Sequence, residues 1–388
     1  MAEIILGYDP CHCADRPESM ESEAYLRALN TQLTYLFAFA GRINEIDTAA
    51  ATSAEFRGMQ DAGWNTAVTA HEVFGELKAL GSKGAPLNRA ELRQVLCLYA
   101  QLAEAGGVYE GLLNTMLIAQ LKPWNMWPFQ DLVRVRHQPR AVIGPNANAM
   151  FRRLAETAAA IGMPGLARVL ELAFRDDVRN AMAHADYIMV QGGLRLRRRN
   201  GGQPIVVSYE QLLAALQIAI WFFELLNEFQ RRVVESYRPA RTIVGRFSAN
   251  PPMPWTIELS DEGVFSISGS APGPQVDAAY QRQSRINDRL GGKMVAAYLG
   301  PGLDIAPDLL TATTTAGFEP LIVALTDADQ FDGLIAEIEE HGLWDTELEA
   351  VDHVAATLMA TPFGFRWIAT GEVFAAWLPA VDEINIAR

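Results

Sequence analysis

Hydrophobic positions in the first 240 residues recur at helical spacing. Over Glu23–Ile46, Leu26, Leu29, Leu33, Leu36 and Phe37 fall on one stripe, which predicts an amphipathic helix. A second helical stretch runs over Ala54–Leu80 and is stopped by Gly81. Asn88 followed by Glu91 is a helix-opening signal, because each side chain can satisfy the other residue's free N–H. The segment it opens runs to Leu121, with a kink or break expected at Gly106-Gly107. Trp124 and Trp127 enter a proline-containing connection, and 147–161 and 164–186 form a helix pair divided by Gly162-Met163-Pro164.

After Asp186 the period changes from about 3.6 to 2. Tyr187–Val190, a Gly192-Gly193 turn and Leu194–Arg197 read as a β-hairpin, with Pro204–Ser208 as a third short strand. Ser208 and Gln211 make another capping box, opening a long helix at about 209–237 that is rich in Leu, Ile and aromatic residues. Asn250-Pro-Pro-Met-Pro254 is a linker signal, and Trp255–Leu259 with Val264–Ser268 suggest a second hairpin. Beyond it, helices are expected at about 274–299, 328–341 and 346–360, with a short apolar strand at Leu321–Leu325. The expectation is a mainly α fold: a helical bundle with a small β-hairpin insertion, plus a smaller acidic α+β C-terminal domain. Its divisions are an N-terminal segment at 1–20, a helical domain at 21–246, a linker at 247–254 and an acidic domain at 255–388.

Charge changes the picture more than composition does. The 388 residues carry a formal net charge of −14. Residues 131–246, however, hold 17 basic and 10 acidic side chains, net +7, against 6 and 21, net −15, over 247–388. All 17 basic residues of the middle segment are Arg, whose planar fork suits bidentate phosphate contacts. An Arg-rich usage across the chain, 28 Arg to 4 Lys, accounts for the same observation without a partner. No apolar run, including the strongly apolar stretch around Leu216–Phe223, approaches the roughly 18 residues a membrane span requires, so no membrane partner is expected. Glu3 stands where a secretory leader would be positive, and the expected location is cytoplasmic.

Several chemistries lack their signatures. There is no Gly-x-Gly-x-x-Gly after a strand, no Walker loop, no His-Glu-x-x-His and no Gly-x-Ser-x-Gly. Cys11-His12-Cys13 is too tightly spaced for ordinary zinc ligation, and His71-Glu72 has no second histidine four residues on. Neither a cofactor nor a metal is expected.

The informative stretch is Phe174–Tyr187, which contains Arg179-Asn180-x-x-x-His184. Arg and His at this family of spacings arise by chance about 1.3 times in a chain of this composition, and the added Asn reduces that to about 0.05. The stretch resembles the HEPN superfamily, whose mark is Arg, four to six residues and His, with a polar residue often directly after the Arg. The following glycine-turned hairpin and long aromatic helix repeat the order seen in HEPN proteins. The resemblance covers roughly 20–240 and is strongest at 164–237, with the motif-bearing core at 147–237. It implies a HEPN-like bundle that commonly forms a homodimer. In many members it implies a metal-independent endoribonuclease with Arg, His and the polar residue in a cleft between chains; other members are non-catalytic binding or dimerisation modules. One branch is adenylylated on a Tyr two residues after His. Here Asp186 holds that place and Tyr187 comes one later, so the resemblance does not carry that regulation across.

The chemistry of these residues is compatible with RNA cleavage. RNA supplies its own nucleophile, the 2′-hydroxyl, so a protein needs mainly to orient the phosphate, stabilise its charge and move protons. Arg179 suits the first two roles, His184 the third, and Asn180 can hold a phosphate oxygen, with Asp186 and Tyr187 as accessory residues. On an ideal helix Arg179 and His184 project about 140° apart, so convergence needs Arg's reach, a distorted helix end or a second chain. A purely structural reading pairs Arg179 with Asp176 and makes His184 a helix cap. Arg195, Arg197, Arg198 and Arg199 are candidates for tracking an RNA backbone, or alternatively for protecting an exposed strand edge. The expected function is a HEPN-type endoribonuclease, a toxin or defence effector, with RNA and a regulatory protein as partners; the alternative is a non-catalytic HEPN-like module.

Overall fold

Residues 22–54, 56, 66–82, 87–197, 202–269, 278–345 and 357–378 are described by the structure, a computed structural model. Cys11-His12-Cys13, Arg198, Arg199 and most of the helix expected at 346–360 lie outside them.

The first helical stripe ends one turn early. α1 (Ser22–Ile43) stops before Asn44, whose side chain accepts the Asp47 N–H at 3.0 Å and starts α2 (Glu45–Thr52) afresh. α3 (Val68–Gly81) follows. α4 (Arg89–Ala103) opens on the expected capping box, with the Asn88 side chain accepting from Ala90 and Glu91 N–H, and the Glu91 carboxylate from Asn88 N–H. The break before α5 (Gly106–Ala119) falls at Glu104-Ala105. Gly107 is helical, and a Cβ there would lie 2.2 Å from the Thr66 carbonyl oxygen. That glycine admits a close backbone approach, which is why it does not mark the kink.

β1 (Arg134–His137) and β2 (Arg140–Ile143) form a two-stranded hairpin that the sequence pattern does not predict. α6 (Ala147–Ala160) then packs against α7 (Pro164–Leu172). The helix expected at 164–186 is two helices, because the chain turns at Phe174-Arg175 before α8 (Asp176–Ala183). Phe174 leaves the helical path for an aromatic cluster, with ring centroids 5.2 Å from Phe151, 5.4 Å from Tyr99 and 6.1 Å from Phe222. β3 (Tyr187–Val190), β4 (Gly193–Leu196) and β5 (Ile205–Ser208) form an antiparallel sheet in that order, and the Ser208–Gln211 box opens α9 (Tyr209–Glu235). By length and composition α9 could cross a membrane; here Leu212, Ala219, Phe222, Phe223 and Leu226 are buried in the core, and α1 packs along it.

The stretch 247–254, expected as a linker, joins two strands of one sheet: β6 (Arg241–Gly245) pairs with β7 (Met253–Leu259), which pairs with β8 (Phe265–Gly269). Buried Asp47 ties this region down, its two carboxylate oxygens accepting N–H groups from Ser248 at 2.7 Å and Trp124 at 3.0 Å. Burial pushes the Asp47 pKa up, and these two hydrogen bonds pull against that rise. The remaining elements are α10 (Ala278–Leu290), β9 (Ala296–Leu299), α11 (Pro307–Thr315), β10 (Leu321–Ala324), α12 (Ala328–Glu340), β11 (Thr357–Thr361), β12 (Gly364–Ile368) and α13 (Gly371–Trp377). Their sheet runs β10-β9-β11-β12, with β9 and β10 parallel and the other pairs antiparallel.

The acidic C-terminal part shares its core with the helices before it. Met294, Leu309, Phe318, Phe363 and Trp377 belong to the same buried cluster as α1, and Phe39 stacks on Phe363 at 5.2 Å. Backbone bonds cross as well, from Met294 N–H to the Ile161 carbonyl at 2.8 Å and from Glu319 N–H to the Gly162 carbonyl at 2.7 Å.

The fold is therefore mixed α/β and not mainly α: among the described residues about 56% are helical and 18% are in strands, which form four small sheets. The mainly α expectation fails because the unpredicted strands are only four or five residues long. Such a strand shows only two alternations in sequence and is defined by its pairing partner. Thr357–Thr361, which overlaps the end of the helix expected at 346–360, is a fully buried strand whose apolar residues carry no alternation to read.

Candidate functional site

α8 carries the Arg179–His184 motif, and both of its ends are fixed by hydrogen bonds. At the start, Arg175 N–H donates to the Tyr99 hydroxyl at 2.6 Å. The Arg175 guanidinium grips the Asp177 carboxylate bidentately at 3.1 and 2.9 Å. At the end, Ala185 adopts φ 55°, its N–H donates to Met182 at 3.3 Å and Asp186 N–H donates to Ala181 at 2.9 Å. This is a Schellman closure with a non-glycine residue in the left-handed position. His184 is the C-cap and is exposed to solvent.

Arg179 points the other way. Its side chain is only 8% exposed, with Nη1 2.9 Å from the Glu104 carboxylate and Nη2 donating to Asn148 Oδ1 at 2.7 Å. The second Glu104 oxygen accepts the Ala147 N–H at 2.8 Å. One ion pair thus joins α8, the α4–α5 connection and the first turn of α6. The partner anticipated from spacing, Asp176, is not the one that holds the guanidinium. A groove of about 570 Å³ between α6, α7 and α8 is lined by Asn148, Phe151, Glu156, Phe174 and Arg179; His184 is not part of it. Asn180 is half-buried, and its backbone carbonyl accepts the His184 N–H at 3.2 Å. No hydrogen bond joins the side chains of Arg179, Asn180 and His184, which the structure leaves on different faces of α8.

The hairpin residues gather at the His184 end. Leu194 and Leu196 are buried, so Arg195 projects from the opposite, exposed face, and Arg197 follows at the same alternation. Arg197 N–H donates to the Asp186 carbonyl at 2.9 Å, and its guanidinium lies 3.8 Å from the Asp186 carboxylate. β4 is the central strand of its sheet, so Arg195 cannot serve as edge protection. That position belongs to Arg89, whose Nη2 donates to the Met189 carbonyl on the edge strand β3 at 3.0 Å. Arg93, one turn further along α4, donates from Nε to the Tyr187 hydroxyl at 3.0 Å. Arg89, Arg93, Ala185, Tyr187, Ile188 and Met189 line a shallow cavity of about 250 Å³ at the turn that follows α8.

Arg89 and Arg93 carry no sequence signal that marks them as site residues. Their i, i+4 spacing puts them on one face of α4, but only the tertiary fold lays that face against β3. Among the described residues no group of three or more His, Cys, Asp or Glu is placed to hold a metal ion. Compared with known proteins, the chain matches no family model, no curated protein and no solved structure.

Proposed function

We propose that the chain is a HEPN-like RNA-binding module whose basic corner, formed by the end of α8, the N-terminal half of α4 and the β3–β4 hairpin, holds a phosphodiester backbone. The observation that carries this reading is the inward tether of Arg179. Its two Nη groups are committed to Glu104 and Asn148, while Arg89, Arg93, Arg195, Arg197 and His184 are exposed on the elements that meet here, Arg89 and Arg93 against β3 and Arg197 beside Asp186. A guanidinium neutralised by a carboxylate and hydrogen-bonded on its far side has little left for a phosphate. Exposed arginines lose little on binding and release counterions when they meet a polyanion.

Cleavage at the same corner is a second reading, favoured by the exposure of His184. It requires Arg179 to exchange Glu104 for phosphate, or a second copy of the chain, as a homodimer, to supply the missing cation. Incubating the purified protein with RNA in EDTA separates the two. The binding module retains RNA without making new ends. Release of 2′,3′-cyclic phosphate ends that disappears in His184→Ala would replace it with the nuclease. No RNA retained would overturn both.

A further inference from the structure

The β1–β2 hairpin stands apart from the α8 corner. Every residue of the two strands is exposed except half-buried Ala141, with Val135 54%, Val142 69% and Ile143 47% accessible. An isolated two-stranded hairpin is marginal in water, because it has no apolar face to bury. Its sequence compensates locally: Val135 lies directly opposite Val142, a β-branched cross-strand pair that favours the strand conformation. Those valines account for the hairpin's formation but not for its charge.

From Leu132 to Asn146 the chain carries three arginines, at 134, 136 and 140, and no acidic residue, in a protein of net charge −14, while Arg153 beyond it is paired with Asp131 at 2.6 Å. Register assigns the hairpin residues to faces. Arg134 and Arg136 share one face with Ala141 and Ile143, and Arg140 lies on the other with Val135, His137 and Val142. Two residues on one face of a strand are about 6.8 Å apart, a pitch suited to consecutive phosphates of an extended nucleic-acid strand. Arg136 Nε donates to the Pro139 carbonyl at 3.2 Å, which leaves both of its Nη groups for a bidentate contact. The hairpin also leads, through Gly144-Pro145-Asn146, directly into the α6 turn that holds Glu104 and Arg179.

We infer that the β1–β2 hairpin is a second RNA-contacting element, an arm that takes the phosphates of an extended single strand on its Arg134–Arg136 face. This rests on the RNA-binding reading of the chain and extends it beyond the α8 corner. Its test is the salt dependence of binding to an unstructured oligouridylate by the full chain, the Arg134→Gln/Arg136→Gln double variant and Arg140→Gln. All three side chains are solvent-facing, and circular dichroism should show unchanged folding. Each single-strand phosphate contact that is removed lowers the slope of log K against log salt by about 0.7, so the double variant should lose about 1.4 while Arg140→Gln retains the original slope. If the parent protein binds and the double variant keeps its slope, or if Arg140→Gln has the same effect as the double variant, the face-specific arm is wrong and the corner stands. A parent protein that binds no RNA removes both.

Discussion

Glu104→Ala should destabilise the fold by about 3 kcal/mol, and Arg179→Ala by about 2 kcal/mol. The order follows from burial. Removing Glu104 strands a guanidinium that is 8% exposed, held only by Asn148 and unable to lose its charge, whereas Glu104 itself is 38% exposed and water can solvate it once Arg179 is gone. The Glu104 exposure also places the first value at the low end for a broken buried pair. Arg179 Nε is already buried without a hydrogen-bond partner, so the site has no reserve to absorb a lost carboxylate. His184→Ala, at an exposed C-cap, should stay within about 0.5 kcal/mol. Urea unfolding followed by tryptophan fluorescence measures all three. A neutral Arg179→Ala would return that residue to the role of an open cleft group, the role its sequence spacing suggests.

The second large effect is expected at Gly193, where the β3–β4 turn enters β4. Its φ is +155°, and a Cβ there would lie 2.0 Å from the Val207 carbonyl oxygen and 2.9 Å from the Ser208 Cα. Both atoms are backbone of β5, and Val207 is fully buried opposite Leu194, so neither can move without breaking the β4–β5 ladder. Gly193→Ala should therefore cost about 3 kcal/mol or more. RNA affinity should fall with it, because Arg195 is placed by the same ladder. Gly192→Ala is the matched control: nothing lies within 4 Å of its Cβ position, and stability should remain within about 0.5 kcal/mol. Equal melting temperatures for the two variants would show that the β4–β5 pairing does not position this corner.

Local signals in the sequence are reliable where the physics is local. Both capping boxes form with the predicted partners, and the 187–197 hairpin and its third strand lie where the alternation puts them. Where the outcome depends on distant chain, the sequence is silent or misleading. The break expected at Gly106-Gly107 falls just before it, at Glu104-Ala105, and what no local pattern shows is that Gly107 is needed for the approach of Thr66. Phe174 reads as one more helical position, but an aromatic cluster drawn from α4, α5, α6 and α9 pulls it out of register. The motif is legible as residues and not as geometry. His184 at the helix end follows from spacing, whereas the inward turn of Arg179 is decided by Glu104 and Asn148, which no local pattern connects to it. Arg89 and Arg93 are hidden for the same reason, since their partners on β3 are 100 and 94 residues away.

The most direct test of the basic corner is the slope of log K against log salt for single-stranded RNA, compared between the parent chain and Arg195→Gln/Arg197→Gln. Both residues are exposed and outside the core, so the substitutions should leave the fold intact. Removing two phosphate contacts should lower the slope by about 1.4. An unchanged slope, with RNA still bound, would mean that the backbone lies elsewhere on the molecule and would contradict the assignment of RNA binding to the α8–β4 corner.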